Sequence, residues 1–160
     1  MPVMQVSRKI DYALRAIIHL AGEAGRDRAC ALAEIAERER IPRQFLEKIV
    51  QDLIRGGLVR SRRGPHGGYV LARSADQMTF RDVIEAVEGP ISLNICVGDH
   101  ADCFLIGTCG MQRIWLEGQR RVLELFEKTT IADVRRPGWA AVAAASPVNP
   151  AAEVASKPQL

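Results

Sequence analysis

Apolar residues at helical spacing up to residue 54, a glycine stop at Gly56-Gly57, and a glycine-rich basic turn between two short apolar runs predict a mainly α fold with a small β-hairpin. This is the order of a winged helix-turn-helix domain, and a second helical stripe beyond residue 110 adds a long C-terminal helix. Composition divides the chain into a winged domain at 1–90, a cysteine-containing loop at 91–110, a long helix with a return segment at 111–134, and an Ala/Pro-rich tail at 135–160.

The first helix is read from Ile10, Ala13, Leu14, Ile17, Ile18 and Ala21, which bring one apolar stripe to the core, with Gly22 or Gly25 as its end. His19 beside that stripe reads as a partly buried histidine with a hydrogen-bond partner, and Cys30 as a small buried side chain at a helix start. Leu32, Ile35 and Ala36 make a short helix, and Ile41-Pro42 a turn. Phe45, Leu46, Ile49, Val50, Leu53 and Ile54 then line one side of the helix that such a motif offers to a major groove. Leu58-Val59 and Tyr69-Val70-Leu71 form two strands joined by SRRGPHGG, whose glycines at 64, 67 and 68 permit a projecting hairpin tip.

Beyond the wing, Thr79 and Asp82 are spaced to cap a helix with the apolar face Phe80, Val83, Ile84 and Val87, stopped by Gly89-Pro90. Met111, Trp115, Gly118, Val122 and Leu125 recur at spacings of four, three, four and three, with Ile114 and Phe126 widening the stripe. A seam of this kind suits pairing with a second copy, so a homodimer is expected. The tail from Arg135, which includes Trp139, has the composition of a flexible arm.

Composition narrows the function classes. The 160 residues, 48% of them hydrophobic, suffice for one core. Four cysteines without an N-terminal apolar run point to a reducing cytoplasm, and no run approaches the ~18–20 apolar residues of a membrane span. The formal net charge of +3 is unevenly placed: residues 1–73 hold 14 Lys/Arg against 8 Asp/Glu, and residues 74–160 hold 8 against 11. Arg55, Arg60, Arg62, Arg63 and Arg73 fall in an acid-free stretch between Asp52 and Asp76, a footprint for double-stranded DNA.

Arg43, Gln44 and Lys48 stand at the start of the second helix of the motif, off its apolar stripe, where long polar side chains reach base edges or phosphates. Glu47 in the same region repels phosphate, and so discriminates by accepting from a cytosine amino group or by penalising wrong sites. Arg62 and Arg63, with His66 at the hairpin tip, suit phosphates or a narrow minor groove.

Cys96, Cys103 and Cys109 lie within fourteen positions among Gly, Asp, Asn and Thr, a loop able to present thiolates from several directions. From the residues alone the loop reads as an iron-sulfur site, a zinc site, a disulfide switch or a set of reduced bystanders. Zinc ordinarily takes four firm ligands, often in a C-x2-C knuckle, and no such pair occurs. A dithiol redox enzyme would show a close C-x-x-C pair, hydrolysis would need a Ser/His/Asp or paired-carboxylate arrangement, and GPHGG joins two strands and so is no phosphate loop. An enzyme is therefore not expected.

Together SRKIDYALRA at 7–16, LAEIA at 32–36, FLEKIVQDLIRGGLV at 45–59, RGPHGGY at 63–69, VIEAVEG at 83–89 and the three-cysteine loop resemble the Rrf-two, or BadM-type, family of bacterial transcriptional regulators, of the IscR, NsrR and RirA kind. The likeness spans about residues 4–134. It implies a homodimer in which each subunit crosses its long helix over the other, with a [2Fe-2S] or [4Fe-4S] cluster held by Cys96, Cys103 and Cys109. Some members place a histidine three residues after the last cysteine, where this chain has Gln112; others donate an aspartate of the first helix across the dimer, here Asp11. Asp11 is thus the leading fourth ligand, with His100, Asp99, Asp102 or water as rivals. The implied function is a repressor whose grip on an inverted-repeat operator is set by the cluster, responding to nitric oxide, redox state or iron. The alternative within the same fold is a cluster-free regulator using a thiol switch, zinc or a small-molecule ligand.

Overall fold

The computed structural model describes residues 6–24, 28–98 and 102–135. Helix α1, Arg8–Ala24, starts where the Ser7 hydroxyl accepts from the Ile10 amide at 3.2 Å, and it buries Ala13, Ala16, Ile17, Leu20 and Ala21. Helix α2, Leu32–Arg38, ends in a tight turn with Arg40 at φ 52° and the Ile41 amide returned to Ala36 O at 2.9 Å. Pro42 then leads into helix α3, Arg43–Arg55, which buries Leu46, Ile49, Val50 and Leu53 against α1. A Cβ on Gly56 would stand 2.7 Å from Ala86 Cβ, so a glycine is what lets the end of α3 close on the next helix.

Strands β1, Val59–Arg62, and β2, Gly68–Leu71, pair antiparallel in the register Val59↔Leu71 and Arg62↔Gly68. Their tip is the turn Gly64-Pro65-His66-Gly67, closed by the Gly67 amide donating to Gly64 O at 2.9 Å. The strand begins one residue later than Leu58, and Leu58 goes into the core. Cys30 does not start a helix. It lies before α2 and forms an isolated bridge to Tyr69, each amide donating to the other's carbonyl at 3.0 and 2.9 Å, which ties the wing to the helices.

After a 3-10 turn at Ala75–Gln77 comes helix α4, Phe80–Glu88, whose capping box is complete: the Thr79 hydroxyl accepts from the Asp82 amide and the Asp82 carboxylate from the Thr79 amide. Helix α5, Gln112–Lys128, leads to a short helix α6, Ile131–Arg135, that the sequence pattern does not announce. The return segment belongs to the core of the winged domain: Ile131 is fully buried, its amide donates to Met78 O at 2.8 Å, and Thr130 bridges to Thr79. One apolar cluster therefore runs through α1, α3, α4 and α6, with Ile17, Ile35, Leu46, Leu53, Met78 and Ile131 among its fully buried members. Each such side chain contributes about 1.5–3 kcal/mol by leaving water. No described helix is long and apolar enough to cross a membrane.

Candidate nucleic-acid interface and thiol loop

The buried side of α3 is fixed by Leu46, Ile49, Val50 and Leu53, and geometry turns Arg43, Gln44, Glu47 and Lys48 to solvent. Within that face Arg43 Nε lies 3.2 Å from Glu47 Oε1, an i,i+4 pair. The pair neutralises part of the repulsion that Glu47 alone would present to phosphate. Phe45 departs from its expected place in the apolar stripe: it is 57% exposed, on the flank of the helix, with its ring edge-on to Tyr12 at 6.4 Å. The reason is angular, since Phe45 stands beyond the arc that α1 covers.

Arg63, Pro65 and His66 are exposed at the wing tip, and Arg60 and Arg62 project from β1. The wing is held along one edge, because β2 is sandwiched between β1 and the Cys30 bridge. Gly68 is required there. A Cβ at that position would lie 2.4 Å from Cys30 O and 2.7 Å from Cys30 C. Lys9 ties α1 to the neighbouring helices, with Nζ 2.8 Å from Asp52 of α3 and also donating to Val87 O of α4. His19 behaves as its pattern indicates: its Nδ1 lies 2.9 Å from Glu39 Oε1 in a mostly buried position.

The loop between α4 and α5 carries Cys96, Cys103 and Cys109 as free, half-buried thiols. Cys30, the fourth, is enclosed, and burial pushes its thiol pKa up. Two glutamines of α5 grip the loop at both ends. Gln119 Oε1 accepts from the Leu93 amide at 2.9 Å while its Nε2 donates to Ile91 O at 2.5 Å, and Gln112 Oε1 accepts from the Gly107 amide at 2.9 Å. Gln119 is the one polar residue buried among the described residues, and the sequence offered only a faint sign of it, a polar side chain inside an apolar helical stripe. Gln112 is thereby engaged with the backbone of the loop.

The expected seam on α5 divides. Trp115, Gly118 and Val122 are half-buried by the chain's own fold, with Gly118 against Leu93, while Met111, Ile114 and Leu125 stand exposed. Phe126 packs on Phe80 at 5.6 Å. The solvent side is a charge ladder, Glu117, Arg120, Arg121, Glu124 and Lys128, in which hydrogen bonds from Arg120 and Arg121 lower the Glu117 carboxyl to about 2. Around the cysteines further apolar side chains are uncovered, among them Ile95, Leu105 and Ile106, with Phe104 at 94% exposure.

Asp11 lies on the exposed side of α1, 57% accessible and 3.1 Å from Arg15 of the same helix. Asp102 is exposed, with its amide donating to Ile95 O at 3.2 Å. Asp99, His100 and the tail at 136–160, with Trp139, lie outside the described residues. Three soft thiols on one loop are the donor type that iron-sulfur clusters prefer, so the chemistry of the donor set fits. Among the described residues no three His, Cys, Asp or Glu side chains converge as a metal site, so the fit is one of donor kind and not of gathered geometry.

A helix-turn-helix, a basic wing anchored through β2 and a polar outward face on α3 define the class: a winged helix-turn-helix protein that binds DNA. The family model Rrf2, described as an iron-dependent transcriptional regulator, matches residues 6–137, and the chain belongs to that family. It is 33% identical over 140 residues to a putative rrf2-like HTH-type transcriptional regulator of Rhodobacter capsulatus, covering 83% of this chain and 93% of that protein. Among solved structures it is similar to CymR, the global cysteine regulator of B. subtilis, with TM-score 0.69, 30% identity, and coverage of 83% and 97%. It is also similar to IscR of T. potens, with TM-score 0.68, 25% identity, and coverage of 98% and 94%. The protein is a transcriptional regulator and not an enzyme.

Proposed function

We propose that this regulator binds an inverted-repeat operator as a homodimer and that its DNA affinity is set by the state of the thiols at Cys96, Cys103 and Cys109. The observation that carries the reading is the double grip of Gln112 and Gln119, which joins the thiol loop to the helix bearing the exposed stripe Met111, Ile114 and Leu125. A second copy covers that stripe, and α5 then sets the separation of the two α3 helices. Operator half-sites one helical turn apart are gripped only when that separation fits. Arg43, Gln44, Glu47 and Lys48 meet the major groove, and Arg62, Arg63 and His66 the flanking backbone or minor groove.

In the preferred form Cys96, Cys103 and Cys109 hold a [2Fe-2S] or [4Fe-4S] cluster, with Asp11 donated by the partner subunit as fourth ligand. Three thiolates and one weaker oxygen donor would hold the group, and when bound it would supply sensitivity to nitric oxide, oxidants or iron supply. The side-chain exposure of Asp11 supports its availability to a partner. A cluster-free thiol switch is the second reading. Its support is the set of free, half-buried thiols at Cys96, Cys103 and Cys109, which do not converge as a metal group among the described residues. Iron and acid-labile sulfide analysis with a visible spectrum, on protein purified without oxygen, separates the two. Stoichiometric iron and sulfide are expected; a colourless protein that still binds an inverted repeat would replace the cluster with the thiol switch.

A further inference from the structure

We infer that Phe45 reads the 5-methyl group of a thymine in the major groove and is a specificity-determining residue of the recognition helix. The inference rests on the DNA-binding role of α3 and deepens it. Phe45 lies in the first turn of α3, immediately after Arg43 and Gln44, and it is exposed where its neighbours on the outward face are polar. An aromatic ring left in water at such a place gains by being covered.

The ring also has a neighbour that orients it. It stands edge-on to Tyr12 at 6.4 Å and 66°, and Tyr12 in turn lies under the Arg15 guanidinium at 5.7 Å. Arg15 is fixed by Asp11 at 3.1 Å and by the carbonyl of Glu39 in the turn before α3. One edge of Phe45 thus meets Tyr12 of α1 and the rest of the ring is bare, a surface that a base edge can cover. Phosphates and sugars present charge and hydroxyls, which Arg43, Gln44 and Lys48 are suited to meet. The apolar group that base edges offer in the major groove is the thymine methyl, for which Phe is an apt partner. Charge on the neighbouring residues commits the patch to nucleic acid, and a protein surface is left as an outcome of the test.

The experiment selects an inverted-repeat duplex from a randomised pool with the wild-type protein, then replaces each thymine of a half-site in turn by deoxyuridine. This removes the methyl and leaves base pairing intact. One replacement is expected to weaken wild-type binding about fourfold per half-site, the factor carried by burial of one methyl. Phe45→Ala should bind the parent duplex more weakly by at least that factor and no longer distinguish the two bases there. Phe45→Leu, which keeps an apolar group against Tyr12, should retain part of the discrimination and guards against a general loosening of α1 and α3. Equal wild-type affinity for every deoxyuridine duplex, or unaltered discrimination by Phe45→Ala, would overturn the inference and leave a sugar or protein partner for the ring. If no duplex is selected at all, the DNA-reading role of α3 fails first and this inference with it.

Discussion

Replacing Gly68 by alanine tests how the wing is held. The added Cβ meets the backbone of Cys30 at 2.4 Å from O and 2.7 Å from C, and 3.1 Å from Ala31 N, so no side-chain rotation relieves it. To reach ordinary contact the strand must move away by about 1 Å. That motion loosens the two Cys30–Tyr69 hydrogen bonds, now 3.0 and 2.9 Å. At roughly 1 kcal/mol net for each bond, about 2 kcal/mol is lost. Alanine is also strained at the positive φ of 153° that Gly68 holds, which outweighs the ~0.5 kcal/mol a stiffer unfolded chain would return. A fall in Tm of at least about 4–8 °C follows for a chain of this size. The functional readout is operator affinity by fluorescence anisotropy at several salt concentrations. If Arg62 and Arg63 each neutralise one phosphate, a displaced wing flattens the salt slope by about 1.8 per subunit. Gly22→Ala, whose Cβ would meet nothing within 4 Å, is the control and should leave both quantities unharmed. A Gly68→Ala protein with the lower Tm and an unchanged salt slope would refute the phosphate role of the wing.

Three further outcomes follow from other contacts. Gln119→Leu strips the partners from the Leu93 amide and Ile91 carbonyl, so it should cost about 1–3 kcal/mol and speed alkylation of the loop cysteines; equal labelling rates would show that Gln119 does not hold the loop. Thr79→Ala removes one half of the capping box and should cost about 1 kcal/mol, a fall of roughly 2–4 °C in Tm; a larger loss would mean that the Thr130 bridge depends on the same residue. Burial raises the Cys30 thiol, so its neutral form contributes stability that is whole below the unfolded value of about 8.5 and declines as pH rises from there toward the folded value. Iodoacetamide at pH 8 should therefore label Cys96, Cys103 and Cys109 in the folded protein stripped of iron and spare Cys30, and prompt labelling of Cys30 would contradict its enclosure.

What was legible in the sequence is what local periodicity and special residues encode. The stripes of α1, α3 and α4, the Thr79–Asp82 box and the glycines of the wing each carry their own signal within a few residues. Phe45 was misplaced because a helical stripe has edges, and whether a flanking residue is covered depends on how far α1 extends over it. The Cys30–Tyr69 bridge was invisible because one residue pair across 39 positions leaves no pattern. The division of the α5 seam was hidden for a related reason. Leu93 and Phe80 take part of the apolar face, and only tertiary packing decides which part. Cysteine spacing likewise named a donor set without saying whether the thiols gather.

The central claim is that the loop thiols govern DNA affinity. The most direct measurement is the operator Kd of wild-type protein as purified without oxygen and after iron is removed, beside Cys103→Ala. The account predicts that stripping changes wild-type Kd by about tenfold or more, a coupling near 1.4 kcal/mol, while Cys103→Ala remains a folded dimer whose Kd does not respond. Identical wild-type affinity in both states would contradict it.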